Sequence, residues 1–244
     1  MPSDVLAVDL AVDQVGGFRL AVRFDVPPGI TILFGPSGAG KSTTLAAIAG
    51  LVRPAAGRIA LGSDVWFDAS ARVDCPVHRR HVAFVFQTLA LFPHMTAAAN
   101  VAYGMDRAMS KDDKRARAEK MLARLRVGHL ADRKPPTFSG GEAQRVALAR
   151  AFATNPRVVL FDEPFSAMDR ALRNDLVADL RTFVDELGVP MIHVTHHRGE
   201  ARALGDRAVL IEAGKVAQVG SVADVLGEDD DSVVPSAANR KGEG

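Results

Sequence analysis

Six side chains in this sequence have the types and settings that phosphate chemistry asks for: Lys41, Ser42, Gln87, Asp162, Glu163 and His196. Lys41 and Ser42 lie in the run Gly35-Pro-Ser-Gly-Ala-Gly-Lys-Ser-Thr43. Its glycines let consecutive backbone N–H groups curl around a polyphosphate, while the lysine reaches the β- and γ-phosphates and the serine hydroxyl coordinates Mg²⁺. Asp162 and Glu163 end the apolar run Arg157-Val-Val-Leu-Phe161. One carboxylate there suits the hard Mg²⁺ ion, and its neighbour suits the removal of a proton from attacking water. His196 follows Met191-Ile-His-Val-Thr195, where a neutral imidazole can hydrogen-bond a phosphate oxygen or that water. Gln87 follows Val82-Ala-Phe-Val-Phe86, a setting for a metal or water contact, although a plain loop hydrogen bond accounts for it equally well.

These residues need elements that deliver them to one edge. The apolar run Ile30-Thr-Ile-Leu-Phe34 reads as a buried strand, and Thr44-Leu-Ala-Ala-Ile-Ala-Gly50 as a helix, so the glycine-rich run joins strand to helix. A helix start adds free N–H groups and the positive end of the dipole to the same anion site. The runs before Gln87, Asp162 and His196 read as three more core strands, and ligands of open α/β sheets collect beyond the carboxyl ends of such strands. Residues 5 to 13 and 18 to 25 alternate as a leading hairpin, with Gly57–Gly62 and Val65–Phe67 as strands that extend it. Phe18 suits adenine stacking or an ordinary half-buried strand position equally. Arg207–Glu212 and Lys215–Gly220 form a closing hairpin, followed by a short helix over Ser221–Leu226.

Between Thr96 and Arg133 the pattern becomes helical: a short helix over Ala98–Met105, then a longer one over Lys111–Arg126 with Ala118, Met121, Leu122 and Leu125 on one face. Its many lysines and arginines are interspersed with Asp112, Asp113 and Glu119, which favours a solvated face over a nucleic-acid or lipid surface. The loop Thr88–Thr96 is mostly apolar, as local core or a docking surface would be. Ser139-Gly-Gly-Glu142 opens the next helix. Ser139 and Glu142 make a capping box, which is a sufficient structural reason for both. The glycine pair is not explained by it, since each costs roughly 1 kcal/mol of helix propensity against alanine. A further helix runs from Asp169, with Leu172, Leu176, Leu180, Phe183 and Leu187 on its apolar face.

A net charge of +1 gives no support to a nucleic-acid partner, and a single cysteine, Cys75, excludes an internal disulfide framework. Cys75 with His78 and His81 lacks a second cysteine pair, so no metal role is assigned to them. No basic-then-apolar leader opens the sequence, and no apolar run reaches the roughly eighteen residues of a membrane span. The polar, patternless stretch 228–244 is expected to be disordered.

Taken in order, these elements resemble the nucleotide-binding subunit of ATP-binding cassette (ABC) transporters over about residues 5 to 227. Gly35–Thr43 matches the Walker A motif, Gln87 the Q-loop, Phe138-Ser-Gly-Gly-Glu142 the signature, Val158–Glu163 the Walker B motif, Ser166-Ala-Met-Asp169 the D-loop and His196 the switch histidine. The resemblance is nearest to ATPases that import molybdate, sulfate or related oxyanions. Gly29–Gly35, Arg79–Gln87 and Leu91-Phe-Pro-His94 carry that finer likeness.

The resemblance implies an α/β fold of the P-loop NTPase type: a RecA-like core with an N-terminal antiparallel β subdomain and an inserted helical subdomain at about 88–155, all within 1–227. It implies ATP bound by Phe18, Gly35, Pro36, Ser37, Gly38, Ala39, Gly40, Lys41, Ser42 and Thr43 of one chain and Ser139, Gly140, Gly141 and Glu142 of a second copy, head to tail. Mg²⁺ would be held by Ser42, Gln87 and Asp162, and Lys41, Gln87, Glu163 and His196 would act in hydrolysis. A membrane permease would dock near Leu89–Met95, a periplasmic or extracellular binding protein would act indirectly, and the subunit would sit peripherally on the cytoplasmic face of the membrane.

Three departures stand out: Phe138 where leucine is usual, Glu142 where glutamine is common, and His197 where aspartate is frequent. Nothing in the sequence attaches a mechanism to the last. The C-terminal regulatory domain of many molybdate-type subunits is not expected, nor feedback through it. Competing functions are import of sulfate, iron or polyamine, a soluble ABC ATPase outside transport, and a regulatory module that binds ATP without turnover.

Overall fold

The computed structural model describes residues 4–13, 17–165 and 170–227. The stretches Ser166–Asp169 and 228–244, read above as D-loop and tail, lie outside them. Strands β1 (Leu6–Asp13) and β2 (Arg19–Val26) alternate buried and outward residues, as a sheet with one covered face requires, and pair antiparallel from Leu6 opposite Val26 to Asp13 opposite Arg19. Strand β3 (Gly29–Phe34) is buried along Ile30–Leu33, the signature of a parallel strand covered on both faces. Helix α1 (Lys41–Ala49) follows the glycine-rich turn. Strands β4 (Ala56–Leu61), β5 (Asp64–Asp68) and the short β6 (Val73–Asp74) extend the hairpin through antiparallel pairing of β4 with β1.

Strand β7 (Val82–Val85) returns to the core. Helices α2 (Ala97–Ala102), α3 (Lys111–Arg124) and α4 (Gly140–Phe152) come next, then β8 (Val158–Asp162), α5 (Arg170–Leu187) and β9 (Pro190–Val194). The described chain closes with α6 (Arg198–Leu204), β10 (Arg207–Glu212), β11 (Lys215–Gly220) and α7 (Val222–Leu226). Among the described residues the strands form one eleven-stranded sheet, β6-β5-β4-β1-β2-β11-β10-β3-β9-β8-β7. Its half from β10 to β7 is parallel.

Register puts the chemistry on one edge. Leu33 lies opposite Val194, Val194 opposite Asp162, and Phe161 opposite Val85. The four strands therefore end within a residue or two of one line, and Gly35, Gln87, Glu163 and His196 all leave from the same rim. The two faces of these strands feed two cores. Val158 and Leu160 point with Leu33, Ile192 and Val194 toward α1, where Leu45 and Ile48 meet Leu6, Leu10, Leu20 and Trp66 of the antiparallel half. Val159, Phe161 and Met191 point the other way, toward Leu148, Phe152, Leu176, Leu180 and Phe183 of α4 and α5. Each fully buried side chain of this kind contributes roughly 1.5–3 kcal/mol.

The apolar face foreseen for α3 is present: Ala118, Leu122 and Leu125 are buried and Met121 partly so. Several ends differ by a few residues. Helix α1 begins at Lys41, ahead of Thr44, while α2 stops at Ala102 and α3 at Arg124. The buried Arg80 closes the far end of α1, donating to the carbonyls of Ala47 at 3.0 Å and Ile48 at 2.8 Å. Two carbonyls at the end of the helix and the chain just after β6 are thus tied together, since the same guanidinium donates to the Cys75 carbonyl at 3.0 Å.

Candidate functional site

The turn between β3 and α1 is built so that only glycine fits at two points. Gly35 has φ 143°, and a side-chain carbon there would lie 2.0 Å from the Ile211 carbonyl oxygen. Gly40, with φ 105°, abuts Leu20 of the antiparallel half, so the loop is pressed against both halves of the sheet. Thr44 locks the first turn of α1 by donating to the Gly40 carbonyl at 2.9 Å. Lys41 is buried and turns back over the loop, donating to the carbonyls of Gly35 at 2.7 Å and Pro36 at 2.8 Å. Burial pulls its ammonium below the ordinary lysine range, against the upward pull of Glu163 and Asp162.

Across this loop the Ser42 hydroxyl donates to Asp162 Oδ1 at 2.9 Å. Burial holds the Asp162 carboxyl above its usual range; the Ser42 bond opposes that and nearby Glu163 adds to it. Glu163 adopts φ 47°, a left-handed conformation unusual for a non-glycine residue, with its N–H donating to the Val194 carbonyl at 3.1 Å. The turn aims its carboxylate back over the rim: Glu163 Oε2 lies 3.1 Å from His196 Nδ1, and Glu163 lines an open cleft of about 180 Å³ with Ser37, Gly38, Gly40, Lys41, Ser42 and Thr43. His197 packs against His196 with ring centroids 4.1 Å apart and the rings tilted by 40°, and burial followed by the charge of Arg173 holds it below the usual histidine range.

Other expected site residues stand outside this cleft. Gln87 is exposed in the turn after β7, on the same rim but at the sheet's edge. Phe18 is half-buried against the antiparallel core, beside the turn at Gly214. Ser139 caps α4, accepting from the Glu142 N–H at 3.3 Å while the Glu142 carboxylate accepts from the Ser139 N–H at 2.7 Å. That bond, the Ser139 hydroxyl and His129 at 3.2 Å hold Glu142 below the usual carboxylate range. The box foreseen from sequence is therefore real, and none of its residues lines the cleft.

Residues 21–166 match the family model described as ABC transporter. The chain belongs to the ABC transporter family. Among its relatives in the family, the molybdenum import ATP-binding protein ModC 1 of Azotobacter vinelandii is 41% identical over 227 residues, 93% of this chain and 62% of that protein. The molybdenum import ATP-binding protein ModC of Methylococcus capsulatus is 43% identical over 211 residues, 86% of this chain and 58% of that protein. This chain thus spans about six-tenths of the length of these ABC relatives. The dimeric structure of MJ0796, a bacterial ABC transporter cassette, superposes with TM-score 0.74 at 29% identity, covering 89% of this chain and 98% of that one. A second structure of MJ0796 at the same similarity is a dimeric post-hydrolysis state bound to ADP and Pi. The fold is accordingly that of an ABC cassette, the P-loop NTPase architecture expected from the motifs.

Some contacts of this ABC site escaped the sequence. Arg150 of α4 reaches the turn after Gln87, and the buried His193 of β9 pairs with Glu200 of α6 behind His196. A lone arginine within Ala-Leu-Ala-Arg-Ala-Phe152 was the available signal for the first.

Proposed function

We propose that this chain is the ATP-hydrolysing subunit of an importer for molybdate or a related oxyanion. The observation that carries the reading is the convergence of Lys41, Ser42, Asp162, Glu163 and His196 on one cleft at the head of α1. ATP is the substrate. Its polyphosphate would sit along the N–H groups of Gly35–Thr43, with Phe18 against the adenine. Lys41 gives two of its three N–H donors to loop carbonyls, leaving the third for a phosphate oxygen.

The donor set fits Mg²⁺: Ser42 and Asp162 bring two hard oxygens within 2.9 Å, and the half-buried Asp162, beside Glu163 as well as Lys41, stays raised above its usual range, which a dication's charge would offset. Ser42 and Asp162, with Gln87, would hold the ion, which when bound neutralises phosphate charge. Glu163 would take the proton from attacking water, and His196, oriented by Glu163, would contact the γ-phosphate.

A second copy would complete the site by presenting Ser139–Glu142 to the γ-phosphate, head to tail. Gly140 supports this, because a side-chain carbon there would meet nothing within 4 Å of its own chain. Neither a turn nor packing within the chain asks for glycine at that point, whereas an approaching phosphate does. Residues 1–227 act in this reading as one nucleotide-binding unit with the helical insertion 88–155, apart from the tail 228–244. Among the described residues no helix is long and apolar enough to cross a membrane. The subunit would work peripherally on the cytoplasmic face, moving permease subunits that receive the anion from a periplasmic or extracellular binding protein. The names of the ModC relatives support molybdate among the possible solutes. Phosphate release by the purified chain tests the assignment: Glu163→Gln is expected to lose at least about 100-fold in turnover while binding ATP within about twofold of the unsubstituted chain. Equal rates in the two proteins would remove Glu163 from the role given to it.

A further inference from the structure

The segment that carries Gln87 is held from an unexpected direction. After β7 the chain passes through Leu89 at φ 53° and Ala90 at φ 45°, two consecutive left-handed residues of which neither is glycine. Such a pair does not hold itself. The Leu89 N–H donates to the Phe86 carbonyl at 3.1 Å, closing the turn over Gln87, the Ala90 N–H donates to the Thr88 carbonyl at 2.5 Å, and Arg150 ties the turn to α4. Its Nη2 donates to the Leu89 carbonyl and its Nη1 to the Ala90 carbonyl, each at 2.7 Å, with the guanidinium 5.8 Å from the Phe92 ring centroid. Among the described residues no carboxylate pairs with Arg150, and burial works against its charge. A half-buried cation is thus committed to two carbonyls of one strained turn. Only arginine offers two parallel donors in a rigid plane to adjacent acceptors.

Arg150 stands on α4, the helix whose first turn is capped by Ser139. Eleven residues of continuous helix separate the two, about 16 Å at 1.5 Å per residue. We propose that Arg150 is a positioning residue for Gln87, joining the far end of the helix that begins at Ser139–Glu142 to the turn that carries the glutamine. Any displacement of the Ser139 end is passed along α4 as a rigid rod and delivered to Gln87 through these two hydrogen bonds. The capped start of α4 and the turn that carries Gln87 are in this way mechanically connected.

The inference rests on the ATPase reading only for the role of Gln87, and two measurements keep the two claims separable. Hydrogen exchange over residues 86–92 reads the clamp without turnover. Arg150→Met is expected to accelerate it about tenfold, Arg150→Lys by less, and Arg115→Ala, an exposed arginine of α3, not at all, with β1 and β2 unaltered in each. Steady-state phosphate release then reads the consequence. Arg150→Met is expected to lower kcat about tenfold with KM for ATP within about twofold, and the Gln87→Ala/Arg150→Met pair to fall no further than Gln87→Ala alone. Unchanged exchange over 86–92 would overturn the clamp, and a double variant whose loss is the product of the single losses would overturn its action through Gln87. Absence of turnover in the unsubstituted chain would sink the ATPase reading instead, and leave exchange to decide whether Arg150 holds the turn.

Discussion

Asp162 shows what a functional carboxylate costs a fold. It is half-buried beside another carboxylate, and burial raises its affinity for a proton in the folded chain above that in the unfolded one. As pH rises from the usual aspartate range through the raised value, the folded state gives up that advantage, and stability falls. At neutral pH the whole penalty is present. Asp162→Asn keeps an oxygen to accept from Ser42 and removes the charge, so thermal unfolding at neutral pH should move up by about 2 °C, a modest figure because solvent still reaches the group. The difference should vanish below the usual carboxylate range, and Mg²⁺-dependent turnover should be lost at every pH. An equal or lower melting temperature at neutral pH would contradict the burial argument. Glu163 beside it carries a different cost, a left-handed backbone that aims its side chain at His196.

At the scale of elements, α4 has two reasons for its first turn and they can be separated. Ser139 and Glu142 satisfy each other's backbone, a purely local gain. Gly140 has no such reason, since its position is open and an alanine would be the better helix former by roughly 1 kcal/mol. Gly140→Ala is therefore expected to leave the melting temperature unchanged or slightly higher and, on the proposed reading, to lower phosphate release by at least about tenfold, because the added methyl would meet the partner's nucleotide rather than this chain. Retained turnover in that variant would mean that the glycine faces nothing.

The parallel strands were legible in the sequence because each is an apolar run ending in a polar or charged residue, and burial on both faces writes that pattern directly. The antiparallel half was legible through its alternation. Strand β6 and helix α6 were not: two residues of pairing and seven of helix, the latter capped by His197 without a side-chain hydrogen bond, carry no period to recognise. Contacts such as Arg150 to Leu89 and Ala90 join positions about sixty apart and leave no spacing rule behind. The residues around the glycine-rich turn were legible almost one by one, since they sit at strand ends; Ser139–Glu142 was legible as a motif belonging to a second copy's site, while the place of Phe18 beside the Gly214 turn left no mark in the sequence.

At the scale of the whole molecule, one chain brings together Lys41, Ser42, Asp162, Glu163 and His196, while the capped start of α4 does not line their cleft, and the proposed reading accordingly needs two chains for one reaction. Sedimentation of Glu163→Gln with Mg²⁺ and saturating ATP tests this most directly. The account predicts a single species of twice the chain's mass with ATP and of one chain's mass with ADP; a protein that binds ATP and still sediments as one chain would contradict it.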